Sequence, residues 1–356
     1  NKALTSTEVT TLYNEVYCQP TIVPTDHFEP VIYTGTGSTQ SITSLDFKPD
    51  LVWVKARGRG NPFTHRLTDS VRGVQKQVSS DTTDIEATEN GVMSFDTAGF
   101  TLGDAAGFNI AASPNTFVAW NWKAGGAAVS NTDGTITSQV SANVDAGFSI
   151  VKYTGNGSTT ATIGTGLDKK VELVLIKNID QSTVWSAVQL PEQAVGNLNN
   201  SNAMTFSYYL GNTTSSVLGF TSQNNAWNQS SSNHIAYCFH SVDGYSKIGS
   251  YTGISSGNIN VSCGFRPAYI MIKATSATGH WEILDSKRSP TMDNSTGAAV
   301  RLRANDSSAD ANFNNSPVKF TSTGFYLDSS VTANSYGDYD KNGVTYTFMA
   351  FAEEVF

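Results

Sequence analysis

Tyr33-Thr-Gly-Thr-Gly-Ser-Thr39, followed by Phe47-Lys-Pro-Asp-Leu-Val-Trp-Val-Lys55, is the stretch that decides the fold. Related stretches run from Tyr153 to Lys177 and from Tyr251 to Lys273. The tyrosine and the final lysine are 22, 24 and 22 positions apart in the three copies. A nearly constant spacing in three copies indicates one structural unit repeated in tandem.

The composition predicts an all-β protein without a nucleic-acid partner. Only 15% of the 356 residues are charged and 11% are aromatic, while Gly, Ser, Thr and Asn are abundant, a balance typical of short strands joined by many turns. The net charge of −8, without a local Lys/Arg cluster, argues against a nucleic-acid interface. No apolar run approaches the roughly 20 residues that a membrane span requires, so we expect no membrane insertion.

Two further strand patterns follow each Tyr-Thr-Gly stretch. A Gly-Phe strand comes first, and an aromatic closing strand such as Thr116-Phe-Val-Ala-Trp-Asn-Trp122 ends the copy. This order predicts three tandem antiparallel β-sandwich (jelly-roll-like) repeats with a short N-terminal helix before them. The predicted divisions are an N-terminal segment (1–29), repeat 1 (30–123), an inter-repeat hairpin or linker (124–146), repeat 2 (147–248) and repeat 3 (249–356).

The closing strands are too apolar to leave one face in water. We expect each of them to lie centrally in a sandwich, with both faces covered or with one face against a neighbouring repeat. Two Asp-Gly pairs, Asp133-Gly134 and Asp243-Gly244, predict hairpin turns. The second pair would lead one repeat directly into the next, so we expect the repeats to pack edge to edge.

The lysine that ends each core strand is expected to mark the point where the strand emerges into solvent; these are Lys55, Lys177 and Lys273. The glycines before that strand are expected to serve turn geometry. The middles of the repeats (about 57–98, 178–217 and 274–318) differ most among the copies, as surface loops would. Any recognition is therefore expected in these variable middles.

The N-terminal residues 1–16 contain the one predicted helix. Thr5-Ser-Thr-Glu8 forms a capping box, and apolar residues follow at helical spacing. A proline-containing linker would follow over residues 15–30. Because the sequence starts at Asn1 without a signal-like apolar segment, we expect it to be part of a longer protein.

A combination of motifs runs through residues 30–356, beginning with Tyr-Thr-Gly-x-Gly-Ser-Thr and Phe-Lys/Arg-Pro before the core strand. The others are Asp69-Ser-Val-Arg-Gly73, Gly99-Phe-Thr-Leu-Gly103, Ala119-Trp-Asn-Trp-Lys-Ala-Gly-Gly126 and Ala350-Phe-Ala-Glu353. Together they resemble a repeat family of uncharacterised virion structural proteins of marine bacteriophages, particularly cyanophages. Repeat 2 departs from the pattern, with Asp168-Lys-Lys170 in place of Phe-Lys/Arg-Pro. The first fourteen residues resemble the end of a laminin-G-like, concanavalin-type lectin domain.

The resemblance implies a virion structural protein without enzymatic activity. It implies a location on the virion surface after synthesis in the host cytoplasm, and other virion proteins as partners. The leading hypothesis is a tail fibre or appendage component that forms a homo-oligomer, a homotrimer being favoured, and takes part in attachment to host glycans. The alternatives are a capsid decoration (cement) protein and a glycan-degrading tailspike.

The search for catalytic or metal-binding residues gives weak candidates. His234 and His240 share one strand face by spacing, and Asp84 with Glu86 is a local acid pair that we interpret as solvated turn acids. Asp338, Asp340 and Asn342 alternate before Gly343, which gives a calcium site as an alternative to an Asn-Gly turn. We expect no other cofactor and no catalytic residue.

The tryptophans and cysteines complete the candidates. Trp227 has no apolar neighbours in sequence and is therefore the tryptophan expected to be exposed, as a glycan-stacking residue or as a loop anchor. The remaining tryptophans are expected in the core; they are Trp53, Trp120, Trp122, Trp185 and Trp281. The three cysteines, Cys18, Cys238 and Cys263, are expected to be buried or partly buried thiols because no pair has metal or disulfide spacing.

Overall fold

The computed structural model of the 356-residue chain describes residues 4–6, 22–58, 63–111, 116–206, 210–221, 224–254, 256–290, 292, 299–313, 316–328 and 339–354. Within these residues the protein is all-β, as the composition predicts, and its named strands pair antiparallel. The helix predicted over residues 1–16 lies outside the described residues, apart from Leu4, Thr5 and Ser6. Besides Ser6, which is helical, the described helical elements are a 3-10 turn at Pro24–Asp26 and a one-turn α-helix at Ala106–Asn109. None of the described helices has the length and apolar character to cross a membrane.

Three large sheets share one strand order at their centres. A first strand pairs with the closing strand, the closing strand pairs with the core strand, and the core strand pairs with a fourth strand. In this order, sheet I contains Phe28–Thr34, Thr116–Trp122, Leu51–Ala56 and Arg66–Asp69. Sheet II contains Phe148–Thr154, Asn233–Phe239, Leu173–Asn178 and Ser186–Gln189. Sheet III contains Ser246–Thr252, Thr345–Ala352, Pro267–Ala274 and Trp281–Asp285.

Further strands extend two of these sheets. Sheet II gains Val129–Asn131 and Ser138–Asn143 beside its first strand, and Ala194–Asn197 and Thr205–Phe206 beside its fourth strand. Sheet III gains Ala299–Arg303 and Ala311–Phe313 beside its fourth strand. The variable middles predicted to be surface loops therefore contribute strands to the large sheets.

Each large sheet has a small sheet that includes its Gly-Phe strand or the equivalent segment. The small sheet of sheet I is formed by Gln40–Ile42, Gly99–Leu102 and Val92–Asp96. That of sheet II is formed by Thr162–Gly164 and Val217–Gly219. That of sheet III is formed by Asn258–Ser262, Gly324–Asp328 and Val318–Thr321. A separate two-stranded ribbon pairs Lys76–Gln77 with Ala87–Thr88.

The closing strands lie centrally and are covered on both faces, as their apolar sequences predict. In sheet I, Phe117 and Ala119 pack into the cluster that includes Phe100 and Leu102 of the small sheet. The alternate residues Trp120 and Trp122 point to the opposite face and enter a different cluster. Because side chains alternate across a strand, one face of each large sheet meets its small sheet while the other meets the remaining large sheets.

The second cluster is shared by all three large sheets. Closing strands and core strands are aligned in the same register, so the pairs Trp53 with Trp120, Leu175 with Tyr237, and Met271 with Met349 occupy corresponding positions. All six of these residues belong to the shared core. Two residues further along the three closing strands, the ring centroids of Trp122 and Phe239 lie 5.7 Å and 6.1 Å from that of Phe351. An aromatic ring that buries roughly 200 Å² contributes about 5 kcal/mol, so this core is a major source of stability.

The expected edge-to-edge packing of repeats is therefore wrong. The large sheets meet face to face through the shared core, which the large apolar side chains of the closing strands require. The Asp243-Gly244 turn does lead the closing strand of sheet II into the first strand of sheet III, and Gly244 has a positive φ of 76°. The predicted boundary between residues 248 and 249 falls inside Ser246–Thr252, which pairs entirely within sheet III.

The tyrosine of each Tyr-Thr-Gly stretch fixes the loop that precedes the closing strand. Tyr33, Tyr153 and Tyr251 donate their hydroxyl protons to the carbonyls of Phe108, Trp227 and Tyr339 at 2.8, 2.5 and 2.7 Å. The same rings stack on Phe117, His234 and Tyr346, with centroids 5.2, 5.1 and 5.0 Å apart. The first glycine of the stretch is needed because the loop passes so closely: a Cβ on Gly35 would lie 2.3 Å from the carbonyl oxygen of Ile110.

Replacing Tyr153 by Phe should lower the free energy of unfolding by about 1 kcal/mol, because the hydroxyl bond to the buried Trp227 carbonyl is lost while the ring stays. Urea denaturation measures the change. Tyr326→Phe is the matched control, because the Tyr326 side chain is only half-buried and lies outside these loops. Equal effects of the two substitutions would contradict the role given to the Tyr153 hydroxyl.

Candidate functional site

Polar side chains cross from each large sheet to the next at three seams. His65, Trp185 and Trp281 stand at corresponding positions, four residues before the end of their fourth strands. Each ring donates a hydrogen bond to a backbone carbonyl of the neighbouring repeat. His65 Nε2 donates to Arg303 at 2.9 Å. Trp185 Nε1 donates to Ser79 at 2.7 Å, and Trp281 Nε1 donates to Asn197 at 3.0 Å. Sheet I thus bonds to sheet III, sheet II to sheet I and sheet III to sheet II. The bonds close a ring around the shared core.

His65 takes the place of an indole in this ring. Its Nδ1 accepts a hydrogen bond from Trp53 Nε1 at 2.8 Å, which leaves the proton on Nε2 to donate to Arg303. Burial holds the pKa of His65 well below its ordinary value, so the imidazole stays neutral. The sequence contains Trp185 and Trp281 eight residues after their lysines, but His65 follows Lys55 by ten. Because the loop after Lys55 is two residues longer, the sequence does not show that His65 corresponds to Trp185 and Trp281.

Two Asp-Arg pairs lie at the ends of fourth strands. Arg72 Nε lies 2.5 Å from Asp69 Oδ2, and Arg288 Nε lies 2.6 Å from Asp285 Oδ2; all four side chains are fully buried. Each arginine also donates to a backbone carbonyl of its own fourth strand. Burial opposes the charge of Arg72, but the adjacent Asp69 carboxylate outweighs it and raises the pKa of Arg72. The i, i+3 spacing in Asp69-Ser-Val-Arg72 is the sequence signal for such a pair.

Each of these aspartates is bonded by the closing strand of another sheet. Trp120 Nε1 donates to Asp285 Oδ2 at 3.0 Å, which joins sheet I to sheet III. The Tyr237 hydroxyl donates to Asp69 Oδ2 at 2.8 Å, which joins sheet II to sheet I. The Arg288 guanidinium also lies over the Trp120 ring, 5.6 Å from its centroid. These contacts are charge-assisted hydrogen bonds in a dry environment, where such bonds are strongest.

The third seam lacks this arrangement. The positions that correspond to Asp285, Arg288 and Trp120 are occupied by Gln189, Glu192 and Met349. Among the residues that the structure describes, Gln189 Nε2 has no hydrogen-bond partner although the side chain is buried. The polar pairing is therefore present at two seams and replaced by an apolar methionine at the third.

The lysines that end the core strands are buried, so the expectation that they emerge into solvent is wrong. Lys55 Nζ donates to the carbonyls of Ala56 and Ser307 at 2.9 and 3.0 Å. Lys177 Nζ lies among the carbonyls of Thr83, Gln181 and Thr183 at 3.0–3.4 Å. Burial lowers the pKa of both lysines to about 8. Because Ser307 and Thr83 belong to neighbouring sheets' variable middles, these lysines also bridge seams.

Trp227, predicted to be exposed, is buried at 3% exposure within the core between sheet II and its small sheet. It corresponds to Phe108 and Tyr339, because its carbonyl accepts the hydroxyl bond of Tyr153 as theirs accept those of Tyr33 and Tyr251. The prediction of exposure is wrong, and the ring offers no open face on which a sugar could stack. The alternative role of a loop anchor agrees with this position.

The residues of the predicted calcium site are only partly described. Asp338 lies outside the described residues. Asp340 follows Tyr339 as Asn109 follows Phe108, and burial raises the pKa of Asp340. Asn342 is exposed in a turn closed by the Val344 amide and the Lys341 carbonyl at 3.0 Å, with Gly343 at a φ of 73°. This is the Asn-Gly turn that the sequence offers as the alternative.

The remaining candidates have structural neighbours. His234 and His240 are buried, and the Nδ1 atom of each lies 3.0 Å from a nearby backbone carbonyl. Glu86 lies 3.4 Å from Arg72 rather than in open solvent. Cys238 and Cys263 are buried thiols, as predicted, while Cys18 lies outside the described residues. In the described part of the chain, no group of three His, Cys, Asp or Glu side chains is placed to hold a metal ion.

Comparison with known families adds one result. The family model described as Domain of unknown function (DUF7483) matches residues 23–355. The chain belongs to this family. No curated protein matches it. The DUF7483 match covers all three large sheets and the seams between them, so these seams lie within the matched region.

The two kinds of seam should respond to very different extents to the same substitution. Asp285→Leu should lower the free energy of unfolding by about 3 kcal/mol or more, since it removes the principal partner of the buried Arg288 charge. Gln189→Leu at the corresponding position should change stability by less than about 1 kcal/mol. It removes the unpartnered Nε2 together with one bond, from the Glu192 backbone amide to Oε1 at 3.2 Å. Urea denaturation of both variants measures this. Similar losses in the two variants would contradict the assigned seam chemistry.

The buried Lys177 predicts a rise of stability with pH. The unfolded lysine, with a pKa of 10.5, holds its proton between pH 8 and 10.5, whereas the folded lysine has released it, so the folded state gains stability over that interval. The unfolding free energy of wild type minus that of Lys177→Met should therefore increase from pH 8 to 10.5. Lys169→Met, at an exposed position, should show no such trend. A flat difference for Lys177 would exclude the lowered pKa.

Proposed function

We propose that this DUF7483 chain is a non-enzymatic structural protein of a bacteriophage virion. Its three large sheets, each with a small sheet, are three copies of one β-sandwich repeat, and the copies form a rigid module on the particle surface. The observation that carries the proposal is the ring of seam bonds. Charged and polar residues at repeated positions form hydrogen bonds between one copy and the next. Such contacts are expected of a structural scaffold.

The resemblance to phage virion proteins over residues 30–356 supports the location. The contacts support the mechanical role, since the shared core and the buried Asp-Arg pairs tie segments that are far apart in sequence. A cross-linked all-β core suits a protein that must keep its shape outside a cell. Within the virion, a fibre or appendage component that displays an upstream lectin-like head is the leading assignment.

A capsid decoration protein is the second candidate, favoured by the ring itself. An arrangement of three similar units about one centre matches the symmetry of a site where three capsid subunits meet. A glycan-degrading tailspike is the third. It would need two carboxyl groups about 5–10 Å apart with one pKa raised. Asp81 has a pKa raised to about 6 by burial, but its Oδ1 accepts the backbone amide of His65 at 3.0 Å, a structural role.

A homo-oligomer, with a trimer favoured, remains part of the proposal. Light scattering of the purified protein tests it against the single-chain mass of 38.1 kDa. We expect about three times that value. A monomeric mass would contradict the proposed homotrimer. The three-fold arrangement would then come from the three repeats of one chain.

Antibody labelling of purified particles tests the virion assignment. We expect the chain to remain with density-purified infectious particles at a fixed stoichiometry, and the label to lie on the tail or at one vertex. Label dispersed over the capsid would favour the decoration protein. A chain abundant in the lysate but absent from the particles would contradict the proposal.

A further inference from the structure

Two adjoining depressions lie on the flank of sheet I and share Arg66 and Glu89. One has a volume of about 370 Å³ and the other about 620 Å³. The first also contains Phe63, Asn90 and Asp104, and the second contains Gln77, Ser79, Asp84, Ile85 and Ser182. The fourth strand of sheet I supplies Arg66 and the two-stranded ribbon supplies Gln77, so both groups stand on regular strands.

Gln77 lines the second depression and carries a buried acceptor. The Gln77 side chain is 5% exposed, and its Oε1 has no hydrogen bond to any residue that the structure describes. The amide orientation is set by Nε2, which donates to Glu89 Oε1 at 3.4 Å. Arg66 lies beside it: Nη1 donates to Ser79 Oγ at 2.7 Å and to Thr64, and Nε forms an ion pair with Glu89 Oε2 at 3.4 Å. A buried polar atom without a partner is costly, and a ligand hydroxyl would satisfy it.

The corresponding positions in the other two sheets are occupied by different side chains. In sheet III they are Glu282, Arg301 and Arg303, where both arginines bond to Glu282 Oε1 at 3.1 and 2.9 Å. The Tyr339 hydroxyl completes that network by donating to Glu282 Oε2 at 3.1 Å. Its counterpart beside sheet I is Phe108, which has no hydroxyl. In sheet II the positions hold Ser186, Val195 and Asn197, with Val195 packed in an apolar cluster.

The lining selects a neutral ligand with several hydroxyl groups. Arg66 is outnumbered by Asp84, Glu89 and Asp104, so the local charge disfavours phosphate, sulfate or a carboxylate. A sugar hydroxyl can donate to Gln77 Oε1 or Glu89 while accepting from Arg66, as adjacent donors and acceptors require. Phe63 in the first depression offers an apolar surface for the C–H face of a sugar ring.

We infer that this pair of depressions binds a neutral oligosaccharide, with Gln77 and Arg66 contacting its hydroxyl groups. The inference deepens the proposed function, because it gives host attachment a site in the variable middle of repeat 1. It does not depend on where the chain sits on the particle. Binding can be measured with the purified protein alone.

The probes are short neutral oligosaccharides of glucose, galactose, mannose and xylose, detected by saturation-transfer NMR and measured by titration calorimetry. We expect at least one of them to bind wild-type protein with a Kd below about 1 mM. Gln77→Leu and Arg66→Met should each weaken that binding about tenfold, the value of one good hydrogen bond. Gln189→Leu, which also removes a buried amide but lies outside both depressions, should bind as wild type does.

Stability separates binding from a merely structural role. Gln77→Leu removes an unpartnered buried oxygen, so its urea midpoint should stay at or above that of wild type even though sugar binding is weakened. The inference is overturned if no probe binds at about 10 mM, or if binding survives both Gln77→Leu and Arg66→Met. If the chain binds sugar but is absent from virions, the virion assignment is wrong and the binding site is still supported.

Discussion

The structure depends on closing strands that are buried on both faces. A strand in that position cannot turn any polar side chain toward water, so each one must bond across the core or be replaced by an apolar residue. In sheet I the solution is Trp120 bonded to Asp285, and in sheet II it is Tyr237 bonded to Asp69. In sheet III the position is Met349, which needs no partner. The packing constraint thus determines the chemistry of the seams.

The Asp-Arg pairs follow from the same constraint. An aspartate that accepts a bond from another sheet must be buried, and a buried carboxylate requires a counter-charge. Arg72 and Arg288 provide it from one turn further along the chain, while their other nitrogens satisfy strand carbonyls. The buried lysines serve a similar purpose, because their ammonium groups bond to loop carbonyls of the neighbouring sheet. The variable middles, which differ most among the copies, therefore form the contacts between them.

The succession of strands along the chain was predictable because it rests on local signals. Tyr-Thr-Gly, the apolar core strand and the aromatic closing strand each carry a periodicity or a turn residue that one sequence displays three times. The seams were not predictable, since Lys55 and Ser307 are 252 positions apart and no local pattern connects them. The exposure predicted for Trp227 was wrong for a similar reason. Its sequence neighbours are polar, but it is buried by Tyr153 and the small sheet. A terminal lysine is usually solvated, but loop carbonyls of its own repeat and of the neighbouring one surround Lys177.

The central claim is that the three large sheets are held by one shared core and therefore unfold together. Hydrogen exchange with mass spectrometry in increasing urea tests this directly, because it reports on the closing strands Thr116–Trp122, Asn233–Phe239 and Thr345–Ala352 separately. The account predicts that all three lose protection at the same urea concentration. Loss of protection in one closing strand while the other two remain protected would contradict it.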